Sequence, residues 1–204
     1  EWSQELDRIR RSHGERLEIL EEIGRGGMAT VYKARQRNLD RLVAVKVLAL
    51  GSDDGFVERF RREARTAASL DHPSIVKTYE CGESEGTHYI VQEYVEGESL
   101  AERIRRRGPL PSQEAAAMLL SIAEGIDHAH VRGVIHRDVK PANVLVDATG
   151  QTKVTAFGLA CREGEIRLSA TGAIGGTPAY MAPEQVDAAI GKVGPWTDVY
   201  GLGA

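Results

Sequence analysis

The chain has 204 residues, 42% of them apolar, 27% charged and 5% aromatic, and its 26 basic and 30 acidic side chains leave a formal net charge of −4. This is the composition of a soluble globular protein with ample length for a core, as one domain or two small lobes. The near balance of charge, with a pI near 5.9, excludes a surface built to neutralise many phosphates, so nucleic acid is not expected as a partner.

In chain order, Trp2, Leu6 and Ile9 share one helical face and make either a small docking helix or a frayed tail. Leu17-Glu18-Ile19-Leu20 leads into the glycine-rich Gly24-Arg25-Gly26-Gly27. Thr30-Val31-Tyr32-Lys33-Ala34 and Leu42-Val43-Ala44-Val45-Lys46-Val47-Leu48 follow as β-rich runs separated by polar turns. They predict a meander of antiparallel strands. Ser52-Asp53-Asp54 opens a helix whose apolar positions Phe56, Phe60, Ala64, Ala67 and Leu70 recur at three to four residues. Strand chemistry resumes at Ile75-Val76-Lys77-Thr78-Tyr79 and His88-Tyr89-Ile90-Val91-Gln92-Glu93-Tyr94-Val95. It ends at the polar Glu96-Gly97-Glu98-Ser99, the candidate hinge between lobes. Residues 100–107 and 111–132 read as helices, the second opening on Pro-Ser and closing at Gly133. The last nine residues, from Trp196 to Ala204, read as an apolar helix without a stop signal, so the chain is taken as a fragment.

The longest nearly uninterrupted apolar run, 115–123, is far below the ~20 residues needed to cross a bilayer, and no secretory leader is read at Glu1. Two cysteines, Cys81 and Cys161, form no disulfide framework and fit a reducing cytoplasm. No internal repeat or low-complexity tract is present.

Three segments carry chemistry. In Gly24-Arg25-Gly26-Gly27-Met28-Ala29-Thr30-Val31, glycines stand where backbone amides approach anionic oxygens closely, with Ala29 where a third glycine is expected; alone, such a loop is equally a plain turn between strands. Twenty-two positions after Gly24, Lys46 sits in an apolar strand, where burying a cation requires an anionic partner. Glu63 on the following helix is the candidate, although Arg59 at i−4 offers it an ordinary helix pair. Finally, His136-Arg137-Asp138-Val139-Lys140-Pro141-Ala142-Asn143 sets a carboxylate, a cation and an amide within six residues, flanked by apolar runs. That set can orient a hydroxyl, neutralise a transferring phosphoryl group and bind a metal.

Together with Ala182-Pro183-Glu184, these segments resemble, in order and separation, the protein kinases, specifically the serine/threonine kinases of bacteria, over about residues 15–204. Lys140, two after Asp138, and the segment from Gly176 to Gln185 resemble the Ser/Thr class. The resemblance implies an α+β, bilobal kinase-like fold: an extension over 1–14, a small antiparallel lobe with one helix over 15–95, and a mainly helical, incomplete lobe over 96–204, with ATP between the lobes. It implies transfer of the ATP γ-phosphoryl to Ser or Thr hydroxyls of protein substrates, with Asp138 as catalytic base, Lys140 as charge stabiliser and Asn143 on magnesium. ATP would be held by Ile23, Gly24, Arg25, Gly26, Gly27, Met28, Ala29 and Val31, by Ala44, Lys46 and Glu63, and by Glu93, Val95 and Leu145. Gln92 would stand at the gate, and His136 and Phe157 would stack. Ser169 and Thr171 are the regulatory phosphate acceptors it suggests, with Arg137 as receiver and Thr177 as a structural contact.

The sequence departs from the pattern at Thr155-Ala156-Phe157-Gly158, where the family has Asp-Phe-Gly. The missing carboxylate is the principal metal ligand, so magnesium binding and transfer are expected to be severely impaired. Because Lys46, Glu63, Asp138, Lys140 and Asn143 are intact, a single disabling substitution is favoured over a pseudokinase scaffold. In the family Glu184 pairs with a downstream Arg that this chain lacks. A shortened lobe would expose apolar surface and invite a homodimer or segment exchange.

Overall fold

The computed structural model describes residues 4–26, 29–48, 54–157 and 178–204. Contacts divide the chain into two compact units, Glu1–Asp71 with Val76–Val95, and His72–Ile75 with Glu96–Ala204.

The first unit is a five-stranded antiparallel sheet. Its strands β1 (Leu17–Arg25), β2 (Ala29–Gln36), β3 (Arg41–Leu48), β4 (Thr78–Ser84) and β5 (Thr87–Glu93) lie in the order β1-β2-β3-β5-β4. Side chains alternate across a strand, so β3 serves two faces. Val43, Val45 and Val47 are buried with Tyr32, Ala34, Tyr89 and Val91 on one. On the other, Leu48 packs with Ala29, Ile90, Phe60 and Ala64, the last two from helix α2 (Asp54–Ala68).

The N-terminal residues are a docked helix, α1 (Gln4–His13), rather than a frayed tail. Leu6 and Ile9, both 0% exposed, join the valines of β3; burying side chains of this size is worth about 1.5–3 kcal/mol each. The end of α1 is tied down by polar contacts. His13 Nε2 lies 2.9 Å from the Tyr89 hydroxyl, Tyr89 donates to Glu80 at 3.1 Å, and Arg16 pairs with Glu80 at 2.6 Å. Burial, then the Glu80 carboxylate, pushes the Tyr89 phenol up to about 12.

Burial, assisted by Arg16, lowers the His13 pKa below its ordinary 6.5, outweighing the opposing pull of Glu80. The folded state therefore holds His13 neutral, and its contribution is fully present above about pH 6.5 and is lost as pH falls below that value. Melting temperature should decline as pH drops below 6.5, and His13→Gln, which keeps a hydrogen bond to Tyr89, should flatten part of that decline. An identical profile for the variant would refute the assignment.

In the second unit, β6 (Gly97–Ser99), β7 (Val144–Asp147) and β8 (Thr152–Val154) form a small antiparallel sheet. Helix α3 (Leu100–Arg107) starts on a reciprocal cap: Glu102 N–H donates to Ser99 Oγ, and the Glu102 carboxylate accepts from Ser99 N–H. Helix α4 (Ser112–Val131) buries Met118, Ile122, Ile126 and Ala129 and ends at Gly133, whose φ of 72° suits the expected terminus. The chain continues through short 3-10 turns at Pro141–Asn143 and Pro178–Tyr180 to helices α5 (Pro183–Val186) and α6 (Pro195–Gly203).

One strand boundary differs from the sequence reading. The run beginning at Ile75 yields a strand only from Thr78, because residues 74 and 75 are engaged elsewhere. Val154 N–H donates to Ser74 O at 2.8 Å, Ser74 Oγ meets Ser121 Oγ at 2.9 Å, and Ile75 bridges to Val154. Among the described residues no helix is long and apolar enough to cross a membrane. Cys81 is an exposed free thiol, and Cys161 lies outside the described residues.

Candidate active site

In the first unit, the sheet register sets several predicted residues side by side. Gly24 is opposite Val31, Val31 is opposite Lys46, and Ala44 is opposite Gln92. Gly26 N–H closes the β1–β2 turn on Ala29 O at 2.9 Å. A Cβ built on Gly24 would come no nearer than 3.9 Å to Val31, and one on Gly26 no nearer than 3.5 Å to Ala29 O. Packing among the described residues therefore does not demand glycine at either position. Lys46 Nζ stands 6.0 Å from the centre of the Phe60 ring, on the α2 side of the sheet.

Other residues of this set are placed along the sheet. Ile23 is exposed, and Arg25 is held by Glu22 at 2.6 Å. Glu93 N–H donates to Lys77 O at 2.8 Å, and Gln92 Nε2 donates to Thr78 Oγ1 at 3.2 Å. Gly27, Met28 and the side chains of Glu63 and Arg59 lie outside the described residues.

In the second unit, Asp138, Lys140 and Asn143 come together on one loop. Lys140 Nζ lies 2.9 Å from Asp138 Oδ2. Asn143 Nδ2 donates to both Asp138 O and Asp138 Oδ2 at 2.8 Å. With the amide nitrogen committed to Asp138, the oxygen is the group Asn143 offers to a cation. The 3-10 turn at Pro141–Asn143 holds this arrangement, and Thr155 N–H donates to Asn143 O at 2.9 Å, joining the loop to the residue that follows β8.

Beneath the loop, His136 is completely buried. Its Nε2 donates to Thr155 O at 2.8 Å and its Nδ1 accepts from Asp138 N–H at 3.2 Å, an assignment fixed by the partners. Burial holds the His136 pKa below the ordinary histidine value, which suits the neutral ring these two bonds require. Phe157 meets it edge-on, with centroids 4.7 Å apart.

Asp198, 1% exposed, lies under the same segment. It accepts from His136 N–H at 2.8 Å, Arg137 N–H at 2.6 Å and His130 Nε2 at 2.7 Å. Arg137 has φ 68°, a left-handed conformation costly for a side chain of this size, and its carbonyl accepts from Gln185 Nε2 at 2.7 Å. Leu145 of β7 is half-buried.

The model for the protein kinase domain matches residues 17–204. The chain belongs to the protein kinase family. It is 45% identical to the serine/threonine-protein kinase PrkC of Bacillus subtilis over 190 residues, which is 92% of this chain and 29% of that protein. It is 43% identical to a probable serine/threonine-protein kinase PknB of Lactococcus lactis over 93% of this chain and 30% of the relative. It is also 44% identical to PknA of Mycobacterium tuberculosis over 92% of this chain and 45% of the relative. The chain thus spans less than half the length of these curated relatives. By family it is an ATP-binding serine/threonine protein kinase domain.

Sequence reading singles out Asp138, Lys140 and Asn143 of this loop but not the residues whose side chains hold its backbone. The sequence reading gives Asp198 and Gln185 no individual role, and the signal for Asp198 is its being an acid inside an otherwise apolar helix. Glu184, expected to stand without a partner, accepts from Thr197 Oγ1 at 2.6 Å, because α6 returns beside α5. Ser169, Thr171, Thr177 and Gly158 lie outside the described residues.

The fit to magnesium is poor. Protein kinases hold the metal through an Asp and an Asn; the resemblance sets these at positions 156 and 143, and residue 156 is Ala. Among the described residues no group of three or more His, Cys, Asp or Glu side chains is arranged to bind a metal. Among the described residues, the loop offers one neutral amide oxygen beside Asp138, a weak donor set for a hard dication.

Proposed function

We propose that this chain is a nucleotide-binding serine/threonine kinase domain whose phosphoryl transfer to protein hydroxyls is crippled at one position. The observation that carries this reading is the loop at 138–143, where the cation and the amide both bind the Asp138 carboxylate while residue 156 offers no side-chain oxygen. Asp138 orients the substrate hydroxyl and accepts its proton. Lys140 neutralises charge on the transferring group, and Asn143 is the surviving metal ligand. Lys46 holds phosphate oxygens, the backbone of the Gly24–Gly26 turn lies along them, and Val31, Ala44 and Leu145 flank the adenine held by the backbone at Glu93 and Val95. Ser169 and Thr171 serve as regulatory phosphate acceptors in an active form. The alternative, a nucleotide-binding scaffold without chemistry, is favoured by Ala156 itself.

Loss of the Asp also removes a negative charge facing bound phosphates, so ATP should bind without metal. At tenfold excess over Kd, stabilisation of about 1.4 kcal/mol should raise the melting temperature by roughly 3–5 °C, equally with magnesium and with EDTA. A shift seen only with magnesium would contradict the reading.

A further inference from the structure

We infer that α1 is a positioning element for Lys46: it braces the opposite face of β3, so that docking of the N-terminal helix and binding of nucleotide strengthen each other. The inference rests on the reading of Lys46 as the phosphate-holding lysine.

Strand β3 supplies the argument. Lys46 and Leu48 point to the α2 side, where Lys46 approaches Phe60 and Leu48 packs with Phe60, Ala64 and Ile90. Val45 and Val47, the residues flanking Lys46, point the other way and are 0% and 2% exposed. Their cluster is completed by Leu6 and Ile9 of α1, both 0% exposed. These two side chains come from outside the matched kinase segment of residues 17–204. The extension therefore adds two buried side chains to the apolar cluster on the back of the strand that carries Lys46, and without it that cluster would lose part of its cover.

The helix is also clasped to the β4–β5 hairpin. The turn at Glu85-Gly86 has φ of 47° and 76°, the left-handed pair of a tight hairpin. Arg8 Nη1 donates to Glu85 O at 2.9 Å, and Arg11 pairs with the Glu85 carboxylate at 2.9 Å. At the other end of the same hairpin, β5 runs beside β3, with Ile90 opposite Lys46 and Val91 opposite Val45. Alpha-helix α1 thus holds β3 directly through its valines and indirectly through the neighbouring strand. Packed side chains of this kind have discrete arrangements and transmit displacement.

Coupling between two sites is reciprocal, which gives two independent readings in the full chain. Leu6→Ala/Ile9→Ala should weaken binding of a fluorescent ATP analogue, in EDTA and well below the melting temperature, by about tenfold, a coupling size common between sites. Conversely, the analogue should slow hydrogen exchange of α1 amides in the unmutated chain, although α1 carries no proposed nucleotide contact. Val76→Ala, buried in the same unit but outside the α1 cluster, controls for general loss of stability and should leave affinity unchanged. Should the double variant not fold, Glu85→Lys tests the clasp: affinity should fall by about twofold, as suits an exposed pair, and recover in Arg11→Glu/Glu85→Lys.

Lys46→Met separates the two claims. If it weakens binding while the α1 variants bind as tightly as the parent, or if nucleotide leaves α1 exchange unchanged, the positioning role is overturned and the site stands. If Lys46→Met has no effect, the reading of the site falls, and the inference with it.

Discussion

Ala156→Asp should raise magnesium-dependent phosphoryl transfer by at least a hundredfold, read as phosphate added to intact mass after incubation with ATP. Removing one neutral donor from a charge-stabilising site costs roughly 3 kcal/mol in other enzymes, and a charged metal ligand should cost no less. The backbone is ready for the change. Ala156 has φ 66°, a left-handed conformation that costs an ordinary L-residue about 1–2 kcal/mol and that Asp and Asn tolerate better than most. The position is thus shaped for a residue other than the one it holds. A glycine at 156 isolates this backbone effect: Ala156→Gly should stabilise by about 1 kcal/mol without restoring transfer. Phosphate incorporation by the parent at the rate of Ala156→Asp would sink the impairment, whereas incorporation by neither would favour the scaffold reading.

The parts of the molecule legible in the sequence were those whose determinants are close in the chain. The strands of the first unit show as alternating apolar residues, and 138–143 shows as three chemical groups within six residues. The helix after Glu96-Gly97-Glu98-Ser99 shows through a capping pair three residues apart. Long-range features did not show. Three residues of a frayed tail and three of a docked helix have the same spacing, and only the apolar back of β3 decides between them for Leu6 and Ile9. Ile75 has the character of a strand residue, yet its hydrogen-bonding neighbours belong to β8, nearly 80 positions on. The left-handed turn at Ala156 has no signature in the sequence, because alanine has none of the tolerance for positive φ that glycine, asparagine or aspartate has.

Asp198 is the sharpest case of a determinant hidden by distance, lying 62 residues beyond one of its donors. Its two oxygens satisfy the backbone N–H groups of His136 and Arg137 as well as the His130 ring, and His136 is wholly buried. Asp198→Ala would leave these buried donors without an acceptor and release Arg137 from a conformation it has little reason to keep. Breaking buried charged or polar pairs on one side costs about 3–5 kcal/mol, so melting temperature should fall by roughly 8–15 °C for a chain of this size. Asp198→Asn, which keeps the shape and one acceptor oxygen, should lose less. Because Asp138 directly follows Arg137, the same release should misplace the carboxylate proposed to orient the substrate hydroxyl. Introduced into the Ala156→Asp background, Asp198→Ala should therefore abolish the regained transfer even at temperatures where the protein is folded. A variant that melts within about 2 °C of its parent and transfers phosphate at the same rate would show that the loop is held by other means.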